Sequence, residues 1–112
     1  MGGTPWVGRH VFDLFRAADW RQPLVALLGE ERYAATGDLI ELASPMVADG
    51  DWVVGTGRGK FDCWTCVVGV AIHRDDGRLL VVVSKDGNVG MWGDPQGPVP
   101  LLLRELLGSP PA

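Results

Sequence analysis

The sequence predicts an α/β chain of the α+β kind, in which a helical segment over residues 1–48 precedes a mixed β-sheet with flanking helices over residues 49–112. Three observations carry this expectation. Apolar residues recur at helical spacing in the first third, gather into short β-branched runs after Asp49, and return as a leucine-rich stretch near the end. With 112 residues the two segments are expected to share one core as a single domain, because about 50 residues alone bury too little apolar surface.

In order along the chain, Val11, Phe12, Leu14 and Phe15 cover one face of a helix expected over residues 11–18. Asp19, with Gln22 three residues on, offers an N-cap for a second helix that continues through residues 24–28 and is capped by Gly29. A third helical stretch is expected over residues 30–35, ending at Thr36-Gly37. Residues 38–43 fit either a helical turn or a strand, and Pro45 ends both. A strand over residues 52–56 should lead into a glycine-rich loop, Gly55-Thr56-Gly57-Arg58-Gly59-Lys60. Residues 66–73 and 79–83 are β-branched runs suited to strands buried on both faces. Asp75-Asp76-Gly77 and Asp86-Gly87-Asn88 supply residues that tolerate a tight turn. Residues 89–92 fit a third short strand, and residues 98–107 a helix burying Leu101, Leu102, Leu103, Leu106 and Leu107.

Composition narrows the function classes. The chain is 46% hydrophobic and 21% charged, with a formal net charge of −4. Its basic residues form no stripe of the sort that follows a phosphodiester backbone, so nucleic acid is not the expected partner. The longest apolar run, residues 66–72, is far too short to span a bilayer. No basic region followed by an apolar run opens the sequence, which predicts a cytoplasmic location.

Cys63-Trp64-Thr65-Cys66 has the spacing of thiol and zinc sites. In extended chain the two Cα atoms would stand about 10 Å apart, beyond disulfide reach unless a turn intervenes. Zinc would need four ligands, and His73 and His10 are the only histidines to add. Buried cysteines in a reducing compartment are the simpler expectation. The loop at residues 55–60 offers backbone N–H groups beside Arg58 and Lys60, a composition that can hold phosphate. It lacks the first glycine and the Ser/Thr of a Walker loop. His73 has no nucleophile beside it in the sequence.

The run Val67-Val68-Gly69-Val70-Ala71-Ile72-His73-Arg74-Asp75-Asp76-Gly77-Arg78-Leu79-Leu80-Val81-Val82-Val83 resembles the opening hairpin of Nudix domains. Gly90-Met91-Trp92-Gly93-Asp94-Pro95-Gln96-Gly97 is similar to that family's W-x-x-P-x-G approach to its signature, and Arg104-Glu105-Leu106-Leu107 to the R-E-U part of the Nudix box. The match covers about 45 of the 112 residues and departs from the pattern in two places. Only six residues separate Gly97 from Arg104, which removes the first box glutamate. Gly108 and Ser109 stand where two further glutamates belong. The chain therefore resembles a truncated Nudix domain with a degenerate box, a partial αβα arrangement.

The resemblance implies hydrolysis or binding of a nucleoside-diphosphate derivative, with Mg²⁺ as cofactor. Glu105 would then be the surviving catalytic group and metal ligand, with Arg104 orienting it through a salt bridge. Trp92, Pro95 and Gly97, with Arg58 and Lys60 on phosphate, would contact substrate. Mg²⁺ asks for near-octahedral oxygen coordination, so a lone glutamate argues against turnover unless Asp94, Glu41 or another acid joins it. Two other classes compete. One is an acidic interaction protein that presents some of its five tryptophans to a protein partner. The other is a zinc or thiol module at Cys63 and Cys66. A homodimer that completes the sheet is a further expectation.

Overall fold

The computed structural model describes residues 6–40, 42–59, 66–85, 88–94, 96–97 and 99–108. The element order is α1 (Val11–Arg16), α2 (Ala18–Leu28), α3 (Glu30–Leu39), β1 (Leu42–Ala43), β2 (Val47–Asp49), β3 (Trp52–Arg58), β4 (Val67–His73), β5 (Leu79–Lys85), β6 (Asn88–Trp92) and α4 (Leu101–Gly108). This is the α+β class expected. Every described strand pairing is antiparallel, where a mixed sheet was expected. The sheet runs β1-β3-β4-β5-β6, with β2 also paired to β3.

Two-residue alternation sorts the strands onto two faces. Val53, Val68, Val70, Ile72, Leu79 and Val81 join Leu14, Phe15, Trp20, Leu24 and Leu28 in one core beneath the first three helices. Trp52, Val54, Ala71, Leu80 and Val82 face the other way and pack with Leu103, Leu102 and Leu106 of α4. The sheet is thus a middle layer with helices on both sides, and both its faces are apolar because both are covered. No helix among the described residues is long and apolar enough to cross a membrane.

Several local expectations are corrected. The cap of α2 is Ala17, which makes no side-chain hydrogen bond, and Asp19 lies in the first turn instead. Helix α3 runs through Gly37 to Leu39 instead of ending at Thr36-Gly37. The supposed glycine-rich loop is largely strand, since β3 continues to Arg58. At Gly55 a Cβ would meet Met46 and Val11 side-chain carbons at 2.6 and 2.9 Å, and at Gly57 it would meet Ile40 at 2.6 Å. Glycine is needed here for close packing under the helices. The backbone N–H groups of Gly55 and Gly57 belong to a strand flanked on both sides, so they form no phosphate-binding loop.

The tryptophans are mainly core. Trp6, Trp20 and Trp52 are buried, and Trp6 meets Trp20 edge to face with centroids 6.5 Å apart. Trp64 lies outside the described residues. Cys66 is fully buried and disulfide-bonded, which corrects the expectation of a reduced apolar cysteine and leaves it no thiolate for zinc. Cys63 lies outside the described residues.

Candidate functional site

One end of the sheet is organised around the β2–β3 hairpin. Gly50 takes φ +60 between Asp49 and Trp52, which pair directly, so the chain reverses in two residues. The tip is tied down from two sides. The Arg74 backbone N–H donates to the Asp51 carbonyl at 2.8 Å, and the Arg74 guanidinium donates to the Gly50 carbonyl at 3.2 Å. The Leu101 N–H at the start of α4 donates to Asp49 Oδ2 at 3.2 Å. That carboxylate therefore caps a helix distant in sequence, satisfying one of its unpaired first-turn donors.

The connection from β4 to β5 forms the next wall. Gly77, at φ +74, closes the turn, with its N–H donating to the His73 carbonyl at 3.0 Å and the His73 N–H donating to the Arg78 carbonyl at 2.8 Å. His73 Nδ1 accepts the Asp75 N–H at 3.2 Å and lies 3.4 Å from Asp76 Oδ1. The ring stands edge-on to Trp52 at 5.0 Å between centroids. The Arg78 guanidinium lies 5.6 Å from the Trp52 ring centre and 2.9 Å from Asp76 Oδ2.

Between these walls and the start of α4 lies a cleft of about 290 Å³, lined by Asp49, Asp51, Trp52, His73, Arg78, Gln96, Gly97, Pro100, Leu101 and Arg104 among others. Its floor is the buried Trp52, its polar side chains are two carboxylates, two guanidinium groups, an imidazole and the Gln96 amide, and its volume is near the lower end of the roughly 300–1,000 Å³ usual for ligand sites. The Asp49 carboxylate caps the N-terminal end of α4, and Arg104 of that same helix also lines the cleft.

The backbone N–H of Arg78, more than its guanidinium, holds the Asp76 carboxyl below its ordinary value of 3.8, against a smaller opposing effect of desolvation. A carboxyl lowered on folding stabilises the fold above its unfolded-state value and loses that contribution as pH falls through the folded value. The Asp76→Asn variant should therefore be less stable than the parent at neutral pH. The gap should close as the pH is taken below about 3.8, which urea titrations at several pH values would measure.

Of the residues singled out from sequence, the structure brings Gly97 and Arg104 into this cleft. Glu105 is exposed and does not line it. Adjacent helix residues diverge by about 100° around the axis, and no ion pair joins Arg104 to Glu105 among the described residues. Trp92 pairs with Val81 and packs against the core beneath the first three helices, with the Arg32 guanidinium 4.8 Å from its ring centre. It thus lies on the sheet face opposite the cleft. Arg58 is at the far end of β3 beside Leu42 and Val67. Asp94 accepts the Gln96 N–H at 2.9 Å and does not line the cleft. Pro95, Lys60 and Glu41 lie outside the described residues.

Sequence reasoning missed Asp49, Asp51, Trp52 and Arg78. The available signal was that Asp49-Gly50-Asp51 and Asp75-Asp76-Gly77 are both turn sequences, one just before β3 and the other just after β4, its antiparallel neighbour. Among the described residues no three His, Cys, Asp or Glu side chains gather closely enough to hold a metal ion. Compared with known proteins, the chain matches no family model, no curated protein sequence and no solved structure.

Proposed function

We propose that the cleft binds a nucleoside-diphosphate derivative without hydrolysing it, and that the chain is a divergent relative of the Nudix fold. The observation that carries this reading is that Arg104 and Arg78 line the same cleft as Asp49, Asp51 and the buried Trp52. Guanidinium groups are planar donors matched to phosphate oxygens. Carboxylates accept hydrogen bonds from hydroxyls such as those of a ribose, while repelling a bare phosphate. A ligand with both sugar hydroxyls and phosphates satisfies both kinds of group, whereas inorganic phosphate satisfies only the guanidinium groups.

The order of parts supports the kinship. A β4–β5 hairpin leads through β6 and Gly97 to a helix lying along the sheet, the order in which the Nudix-like segments follow one another in the sequence. The single exposed glutamate supports binding over turnover, because a lone carboxylate in water attracts a dication weakly.

Calorimetric titration with ADP-ribose and nucleoside-diphosphate sugars, with and without Mg²⁺ and with phosphate release followed in parallel, tests the proposal. Heat of binding without turnover is expected. The Arg104→Gln variant should weaken binding at least tenfold, since a hydrogen bond to a charged group contributes about 1.5–3 kcal/mol, and Glu105→Gln should change it less than twofold. Turnover abolished by Glu105→Gln would restore the hydrolase reading. An absence of heat with every ligand would remove the ligand-binding reading altogether.

A further inference from the structure

The two edges of the sheet are treated differently. Along the outer side of β3 run only the two-residue β1 and the three-residue β2, with Pro45 between them. A segment from near the chain's start lies against this break. The Gly8 N–H donates to the Met46 carbonyl at 2.8 Å, the Met46 N–H donates to the Arg9 carbonyl at 2.7 Å, and His10 bridges Pro45. Short strands, a proline and a covering segment are the usual protections of a sheet edge.

Among the described residues the opposite edge has none of these. Strand β6 is last in the sheet order, and no described strand pairs with its outer side. Its residues, Asn88-Val89-Gly90-Met91-Trp92, include no charge and no proline. Val89 and Met91 point to the same face and are 42% and 37% exposed. An uncharged five-residue strand with outward N–H and C=O groups and two exposed apolar side chains is a template for another strand.

We infer that β6 is where a second copy of this chain adds, extending the sheet across a two-fold axis near Gly90. The strand is self-complementary in that register: antiparallel pairing centred on Gly90 sets Val89 of one copy opposite Met91 of the other, twice over. Charge selects the same orientation. Lys85 pairs with Asn88 at one end of β6, and Asp94 follows its other end. Antiparallel pairing carries each Lys85 toward the end of the other copy that bears Asp94, while parallel pairing would set like charges together. This surface is independent of the cleft, so its failure leaves the ligand-binding proposal standing.

Sedimentation equilibrium of the full chain, with and without reductant, tests the inference. The expected mass is twice 12.1 kDa in both conditions, with the dissociation constant raised at least tenfold by Val89→Lys or Met91→Lys and unchanged by Leu42→Lys on the opposite edge. Hydrogen exchange at the Val89 and Met91 amides should also slow as the parent protein is concentrated, a readout that needs no variant to fold. A monomer at several hundred micromolar would overturn the inference. So would exchange rates that ignore concentration, a dimer indifferent to both β6 substitutions, or one abolished by Leu42→Lys.

Discussion

The Gly93→Ala variant is expected to lose about 3 kcal/mol of stability, from backbone strain and overpacking that each cost roughly 1–3 kcal/mol. Gly93 follows β6 at φ +108, a conformation that side chains with a Cβ rarely adopt. A methyl group there would overlap the Leu79 carbonyl oxygen and approach Leu80 Cδ2 to 3.1 Å. The oxygen belongs to the backbone of β5 and cannot turn aside as a flexible side chain would. For a domain of this size the loss corresponds to roughly 10–20 °C in Tm, measurable by calorimetry. Gly37→Ala is the control: Gly37 has helical backbone within α3, and the added methyl would meet only the Phe15 ring at an ordinary contact distance of 3.7 Å, so a far smaller change is expected.

Truncating Leu103 to alanine is expected to cost about 3 kcal/mol, within the roughly 2–5 kcal/mol seen for buried leucines, and to disturb the cleft as well. Leu103 is fully buried. It reaches the sheet where β4 has Gly69, and a Cβ at Gly69 would lie 2.5 Å from Leu103 Cδ2 and 2.7 Å from Leu106 Cδ1. Helix α4 therefore seats leucine side chains directly on strand backbone, and a cavity left by Leu103→Ala has no neighbouring side chain at Gly69 to fill it. Arg104 is the next residue, so loosening α4 should move it and weaken ligand binding together with stability. Leu101→Ala supplies the comparison, because Leu101 is 56% exposed and surface truncations of this kind usually stay within about 0.5 kcal/mol.

Those two sites also show what was legible in the sequence. Strands β4 and β5 declared themselves through β-branched runs, and the β4–β5 connection through Asp75-Asp76-Gly77, because both signals are local. The last helix was legible from its leucines, although the order Leu102, Leu103 and Leu106 inward and Arg104 and Glu105 outward emerges only once the sheet beneath is present. The glycines of residues 55–57 misled for a physical reason. Glycine suits a loop through its backbone freedom, but here it suits a strand because Met46, Val11 and Ile40 occupy the space of its absent Cβ atoms. Those partners are distant in sequence, so no local pattern announces them.

The candidate site was half legible for the same reason. Gly97 and Arg104 stood out through their resemblance to a known signature and do line the cleft. Asp49 and Asp51 read as turn residues and nothing more, since the role of Asp49 as a cap for α4 depends on a contact spanning 52 residues. Trp92 stood out beside Pro95 as a substrate contact, but pairing with Val81 turns it to the helical face. In a strand, one residue of register decides which side of the sheet a side chain serves.

The central claim is that this cleft is the ligand site, and residue-resolved NMR during titration with ADP-ribose tests it most directly. Saturable shifts are predicted for the Trp52 indole N–H, the His73 ring and the Gly97 and Leu101 amides, with the Arg58 end of β3 unmoved. Shifts confined to the Arg58 end, or scattered without saturation, would contradict it.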